Sequence, residues 1–267
     1  MKFKISVYTA LAIILTIISA CGPTQSELAT KKIKTSEALL ALGDTLKSLI
    51  CLDSIPKLYP EAVAERSLAI KISDRIYGVQ LLKQRGKLAD ANNMINSLIR
   101  EFKPEKGEFE KYNNYIPNRQ VFDKSWSRSF IQVYLNEKGD LTLASNYYGE
   151  KWLNHTSFLI IGEALTLKTD SVPLDNVNNH HSDFGGSMWE KVTYRGKQAD
   201  QVIAMIAANC DKKLKAIFEG SARKTYIMWL EDYDKKAIKN ANELSKAFKI
   251  KSEAEKMIPV LEKKIKS

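Results

Sequence analysis

The chain has 267 residues, a formal net charge of +10 and 44% hydrophobic residues, which is ordinary for a chain that buries one large core or two small ones. The positive balance would suit nucleic acid. Its lysines are scattered among glutamates on helix-like stretches, so a solvated surface facing anionic lipid or polysaccharide fits better, and nucleic acid is not expected as a partner.

The first residues read as an address. Lys2 and Lys4 precede an apolar run from Val7 to Ile18, which ends in Ile18-Ser19-Ala20-Cys21. A basic head, a short greasy run and small residues before a cut make a secretory signal. The run is shorter than the roughly 20 residues that span a bilayer comfortably. Its ending resembles the lipobox of bacterial lipoproteins, with Ile18 where leucine is commoner. That resemblance implies that residues 1–20 are removed and that Cys21 is lipidated. Two or three acyl chains, at about 0.8 kcal/mol per buried methylene, would then hold the chain on a membrane. Losing Lys2 and Lys4 lowers the side-chain balance from +10 to +8.

Residues 21–26 form a short tether, and residues 27–107 form a helical region. The spacing of Leu39, Leu42, Leu46, Leu49 and Ile50 predicts one face of a helix from Glu27 to Cys51. Asp53-Ser54-Ile55-Pro56 should stop it. A second helix is expected from Pro60 to Arg85 with Gly86 as its stop, and a third from Lys87 to Phe102. A helical hairpin or three-helix arrangement would bury their apolar faces. Residues 108–121, rich in Asn and Tyr, read as a linker.

Residues 122–267 read as a strand-rich domain. Ser129–Leu135 and Leu141–Tyr148 make a hairpin around Asn136–Asp140. Thr156–Ile161 and Ala164–Thr169 make a second, and Asp175–Ser187 is a polar loop. Trp189–Tyr194 is a strand, Gln198–Asn209 a helix, Lys213–Phe218 and Lys224–Leu230 a last hairpin, and Asp232 to about Lys266 a closing helix. The expected class is α+β with mainly antiparallel strands. No strand leads into a glycine-rich phosphate loop, so no cofactor is expected.

Chemistry is sparse. His155, His180, His181 and Asp183 are the candidate metal ligands, but adjacent histidines on an extended chain point apart. A hydrogen-bonded loop capped by asparagines and Asp183 is the plainer reading. Ser182 lacks the strand-to-helix elbow of a serine nucleophile, and Cys210 lacks an evident base. Cys51 and Cys210 could pair in an oxidising compartment, but two separate buried thiols are favoured, since spacing cannot set the Cα distance. Trp126, Trp152, Trp189 and Trp229 fall in the strand half with Tyr147, Tyr148, Tyr194 and Tyr226. Exposed, they would make a carbohydrate- or peptide-binding face; buried, a core. Tyr147 and Tyr148 must face opposite sides of a strand, so one lies outside the core.

Asp53-Ser54-Ile55 and Asp170-Ser171-Val172 match the Asp-Ser/Thr-apolar acceptor of O-glycosylation in Bacteroidetes, making Ser54 and Ser171 candidates in loop-like settings. The overall plan resembles envelope lipoproteins of that group. There, surface export goes with acidic residues after the cysteine. Gly22–Ser26 is uncharged, which implies the periplasm-facing leaflet of the outer membrane. The resulting expectation is a membrane-anchored, non-enzymatic binding or structural module, with a protein, peptide or glycan as its candidate partner. The alternative is a metal-dependent or carboxylate hydrolase of envelope polymers.

Overall fold

The computed structural model describes residues 22–108, 111–163 and 165–266. Lys2, Lys4 and Cys21 therefore lie outside the described residues. The described residues divide into two compact units, one of residues 22–84 and 257–266 and one within residues 85–256. The class is α+β, as expected.

The first unit is helical. Helix α1 (Gln25–Ala41) opens with a capping box: Thr24 Oγ1 accepts the Glu27 N–H at 3.2 Å, and the Glu27 carboxylate accepts the Thr24 N–H at 2.9 Å. Each satisfies a donor that the helix start leaves free. The single helix expected over 27–51 is two. Gly43 takes a positive φ of 81° after Leu42, and Asp44 caps helix α2 (Thr45–Leu58) by accepting the Lys47 N–H. The break resets the helical phase. Leu49 reaches the core with Ile33, Leu52 and Ile55, whereas Leu42, Leu46 and Ile50 are 83%, 71% and 59% exposed. Ser36 and Ser48 pair at 2.8 Å where α1 meets α2. Pro56 does not stop α2, which runs two residues beyond it. In a last turn proline forfeits one hydrogen bond, and Tyr59 N–H still reaches Ile55 O at 2.9 Å.

Helix α3 (Val63–Leu98) is also a correction. It starts after Pro60 and runs through Gly86, replacing two expected helices. Gly86 has no positive φ, and the good helix formers Lys83, Gln84, Arg85, Lys87 and Leu88 on either side outweigh its propensity cost of about 1 kcal/mol.

Among the described residues the second unit carries ten strands in two antiparallel sheets. The expected linker 108–121 is not one, and the helical region stops short of 107. Strands β1 (Phe102–Glu105) and β2 (Asn114–Pro117) pair and join the larger sheet. Pro104 sits there because β1 is an edge strand, where a missing N–H is tolerated. Then come a single helical turn, α4 (Phe122–Ser125), strands β3 (Phe130–Asn136) and β4 (Leu141–Gly149), and strands β5 (Ser157–Ile161) and β6 (Thr166–Lys168).

Asn179–Phe184 is strand β7, where a polar loop was expected. It makes a two-residue hairpin with β8 (Ser187–Tyr194) across Gly185 and Gly186, both at positive φ, as primed hairpin turns require. Helix α5 (Lys197–Ala208), strands β9 (Lys215–Glu219) and β10 (Thr225–Trp229), and helix α6 (Asp232–Lys266) complete the chain. The sheet orders are β1-β2-β3-β4-β8-β7 and β10-β9-β5-β6.

Alternation along the strands builds the core. Ile131, Val133, Leu143, Val192 and Tyr194 of the larger sheet join Phe158, Ile160 and Phe218 of the smaller one. Ile203 and Ile206 of α5 and Ile238 and Leu244 of α6 complete the cluster. Each fully buried side chain of this kind contributes about 1.5–3 kcal/mol. The other face of the larger sheet carries Gln132, Tyr134, Asn146, Tyr148, Trp189 and Lys191.

Candidate ligand-binding site

Two sites compete: a hydrogen-bonded relay on the core face of the larger sheet and an aromatic cleft on its other face. The relay has the connectivity of a catalytic triad. Ser145 Oγ lies 2.7 Å from His155 Nε2, and His155 Nδ1 lies 2.7 Å from a Glu190 carboxylate oxygen. In the tautomer that donates from Nδ1 to the carboxylate, Nε2 accepts the Ser145 hydroxyl proton. Ser145 can in turn accept from Tyr194 OH at 3.1 Å. Burial pushes the Tyr194 phenol well above its ordinary value, so it stays a donor.

The relay is sealed: Ser145, His155 and Glu190 are each 0% exposed. The imidazole stacks on Phe218 with centroids 5.1 Å apart. Glu190 also accepts the backbone N–H groups of Leu153, Asn154 and His155 at 2.6, 2.7 and 2.9 Å. These hold a loop in which Asn154 takes a φ of 55°. Burial acts to raise the Glu190 carboxyl, but the bonds from the His155 side chain and from the His155 and Asn154 N–H groups outweigh it and hold the group below its ordinary value. A substrate cannot reach these atoms, so the relay is an architectural lock on residues 153–155.

The cleft on the other face is open and has a volume of about 470 Å³. Three strands present a row to it, because Tyr148 and Ser182 both stand directly opposite Trp189 in the register. Ser187 adds a hydroxyl, which receives the Tyr148 OH at 3.0 Å. The far wall is α4, with Phe122, Asp123 and the following Trp126. Trp126 meets Tyr148 edge to face, at 6.3 Å and 84°, and Phe122 tilts over Trp189 at 5.3 Å. Phe122 is 60% and Trp126 45% exposed. The Trp189 Nε1 atom is buried and has no hydrogen-bond partner among the described residues.

A glutamine fixes that far wall. Strand β2 pairs with β3 only at Asn136 and Leu135, which leaves the edge of β3 open beyond. Gln120, fully buried just before α4, fills it. Its Nε2 donates to Ile131 O at 3.0 Å and to Asp234 at 2.7 Å, and its Oε1 accepts the Val133 N–H at 3.1 Å. Asp234 is clamped from the other side by Arg128, at 2.6 and 3.0 Å.

The sequence-derived candidates disperse. His155 is in the relay. His181 Nε2 is 3.9 Å from Glu190, too far for a hydrogen bond, and His180 falls on the opposite face of β7 by alternation. Asp183 is exposed. Among the described residues no group of three or more His, Cys, Asp or Glu is placed to hold a metal. Cys51 and Cys210 are free thiols, one in each unit. Ser54 is not in a loop: it lies within α2 and donates to Cys51 O at 2.6 Å. Ser171 is exposed in the segment after β6. Tyr147 packs against Tyr226 on the core side while Tyr148 lines the cleft, the split expected of neighbours on a strand. Sequence reasoning missed Ser145, Glu190, Gln120 and Phe122, none of which carries a local motif.

A larger cleft of about 550 Å³ near Arg195 and Asp200 is polar and mixed in charge. Its Asp140 is tied to Asn136 and its Arg195 to Asn178. It lacks the concentration of aromatic surface that sets the other cleft apart.

No family model matches the chain, nor does any curated protein or solved structure.

Proposed function

We propose that this chain is a lipid-anchored, non-enzymatic binding module of a bacterial cell envelope, and that its unit of residues 85–256 takes a small ligand in the aromatic cleft. The observation that carries the binding half is the row Tyr148–Trp189–Ser182 facing Phe122 and Trp126. Here aromatic surface stays in water instead of joining the core, and polar groups converge on the same space. The anchoring half rests on Lys2, Lys4, the apolar run and Cys21. The uncharged Gly22–Ser26 favours the outer membrane facing the periplasm. No helix among the described residues is long and apolar enough to cross a membrane.

Two measurements test this. In cells fed an alkyne-bearing fatty acid, the full chain should take up label and fractionate with membranes, and Cys21→Ser should do neither. An unlabelled wild type removes the anchor. For the cleft, the purified full chain in detergent is titrated with methyl glucoside, N-acetylglucosamine, choline and N-acetyltyrosinamide while tryptophan emission is followed. At least one should give a saturable change that Trp126→Ala abolishes. A flat response to all four removes the binding reading.

A further inference from the structure

Resting on the binding reading, we infer that the aromatic cleft is a site for an organic cation, and specifically for a methylated ammonium group of the choline type. Four aromatic side chains line one space, and the ring faces of Phe, Tyr and Trp carry the negative lobe of a quadrupole. A cation within about 6 Å of such a face is attracted to it, most strongly by Trp. Trp126 and Tyr148 stand at 84° to one another, so they form a corner of two walls and not a flat stack. Such a corner can touch a compact, rounded cation on two sides, whereas a sugar ring needs one broad flat face.

Charge points the same way. The chain carries a net +10, yet among the described residues the lining of this cleft includes no lysine or arginine and one carboxylate, Asp123. Asp123 has neither an ion pair nor a hydrogen bond among the described residues. The basic neighbours are directed elsewhere. Arg128 is committed to Asp234, and its guanidinium lies over Phe130 at 4.1 Å. Lys191, two residues along β8 on the same face, has its ammonium over Tyr134 at 5.6 Å. Lys124 follows Asp123 but does not line the cleft. An anionic pocket in so basic a chain selects against anions and for a positive guest.

The hydrogen-bond inventory selects among cations. A primary ammonium presents three donors, and each left unmade in an apolar site is costly. The cleft offers one free carboxylate and two serine hydroxyls, one of them already used by Tyr148. A quaternary ammonium presents no donors and is clothed in methyl groups, so it loses least on entering an aromatic site.

The test uses the purified full chain in detergent, with tryptophan emission and calorimetry as readouts. Choline chloride should bind saturably. Its neutral isostere 3,3-dimethylbutan-1-ol, of the same shape, should bind about tenfold more weakly. Ethanolamine should also be weaker than choline. Asp123→Asn should weaken choline about fivefold and leave the isostere unchanged. Trp126→Ala should abolish binding and Trp126→Phe should keep part of it, with thermal unfolding showing that both variants fold. Comparing choline with glycerophosphocholine shows whether the ammonium arrives free or as a phosphodiester headgroup, and tighter binding of either supports the class. Equal binding of choline and its isostere overturns the inference while leaving a binding cleft. So does methyl glucoside binding that Trp126→Ala removes and choline cannot displace. If no probe binds at all, the inference falls together with the binding reading.

Discussion

Replacing Glu190 by glutamine tests whether the sealed relay holds the strand domain together. The carboxylate accepts four hydrogen bonds: three from consecutive backbone N–H groups and one from His155 Nδ1. Glutamine has one carbonyl oxygen, so it keeps about half of them and turns an NH₂ group toward the remaining donors. Net hydrogen bonds to a charged group are worth about 1.5–3 kcal/mol each. Two lost bonds with a donor–donor clash in a site closed to water give about 3–5 kcal/mol of destabilisation at pH 7. Urea unfolding followed by circular dichroism measures this. The pH dependence supplies a second readout. Because the folded carboxyl is lowered, its contribution is complete above the ordinary glutamate value of 4.5 and is lost as pH falls through the folded value. Wild type should therefore lose stability on acidification below about pH 5, and E190Q should lose less over the same window. A variant within 1 kcal/mol of wild type, with an unchanged acid slope, would refute the assigned role.

Three further outcomes follow from other parts of the chain. Gln120→Leu keeps the volume but strands the Val133 N–H, the Ile131 carbonyl and one partner of Asp234, so unfolding should move by about 3 kcal/mol or more, with a parallel loss of choline-induced fluorescence change as α4 loosens. Gly86→Ala places a methyl where nothing lies within 4 Å in a helix interior, so the melting temperature should rise with about 1 kcal/mol of added stability. If the chain is O-glycosylated in its native host, intact-mass measurement should show that Ser171→Ala removes the added mass and Ser54→Ala does not, because Ser54 is held within α2.

Local chemistry made much of this fold legible. The hairpin of β3 and β4 is announced by Asn136 and Gly139: the asparagine carbonyl oxygen accepts the Lys138 and Asp140 N–H groups, and the glycine supplies φ 80°. Strand β7 was missed because Asn179-His180-His181-Ser182-Asp183 has no apolar alternation. Its signal lay beyond its end, in Gly185-Gly186. The helices were misdivided because a glycine stops a helix only where the chain turns left-handed, which Gly43 does and Gly86 does not. The cleft was half legible. The tryptophans stood out as a group, but Tyr148 and Trp189 meet only through strand pairing, and no spacing foretells which strands adjoin. The Ser145–His155–Glu190 relay depends on the same long-range pairing.

Strand β8 puts Trp189 on the cleft face and Glu190 on the core face, and this ties the two together during folding. A slip of one residue against β4 would carry the indole inward and the carboxylate outward. It would leave three backbone N–H groups and an imidazole without their acceptor and remove the cleft floor in the same step. Misregistered forms of this sheet would therefore be poor both at persisting and at binding. A chain that has attained its lowest-energy pairing has, by that fact, assembled its cleft.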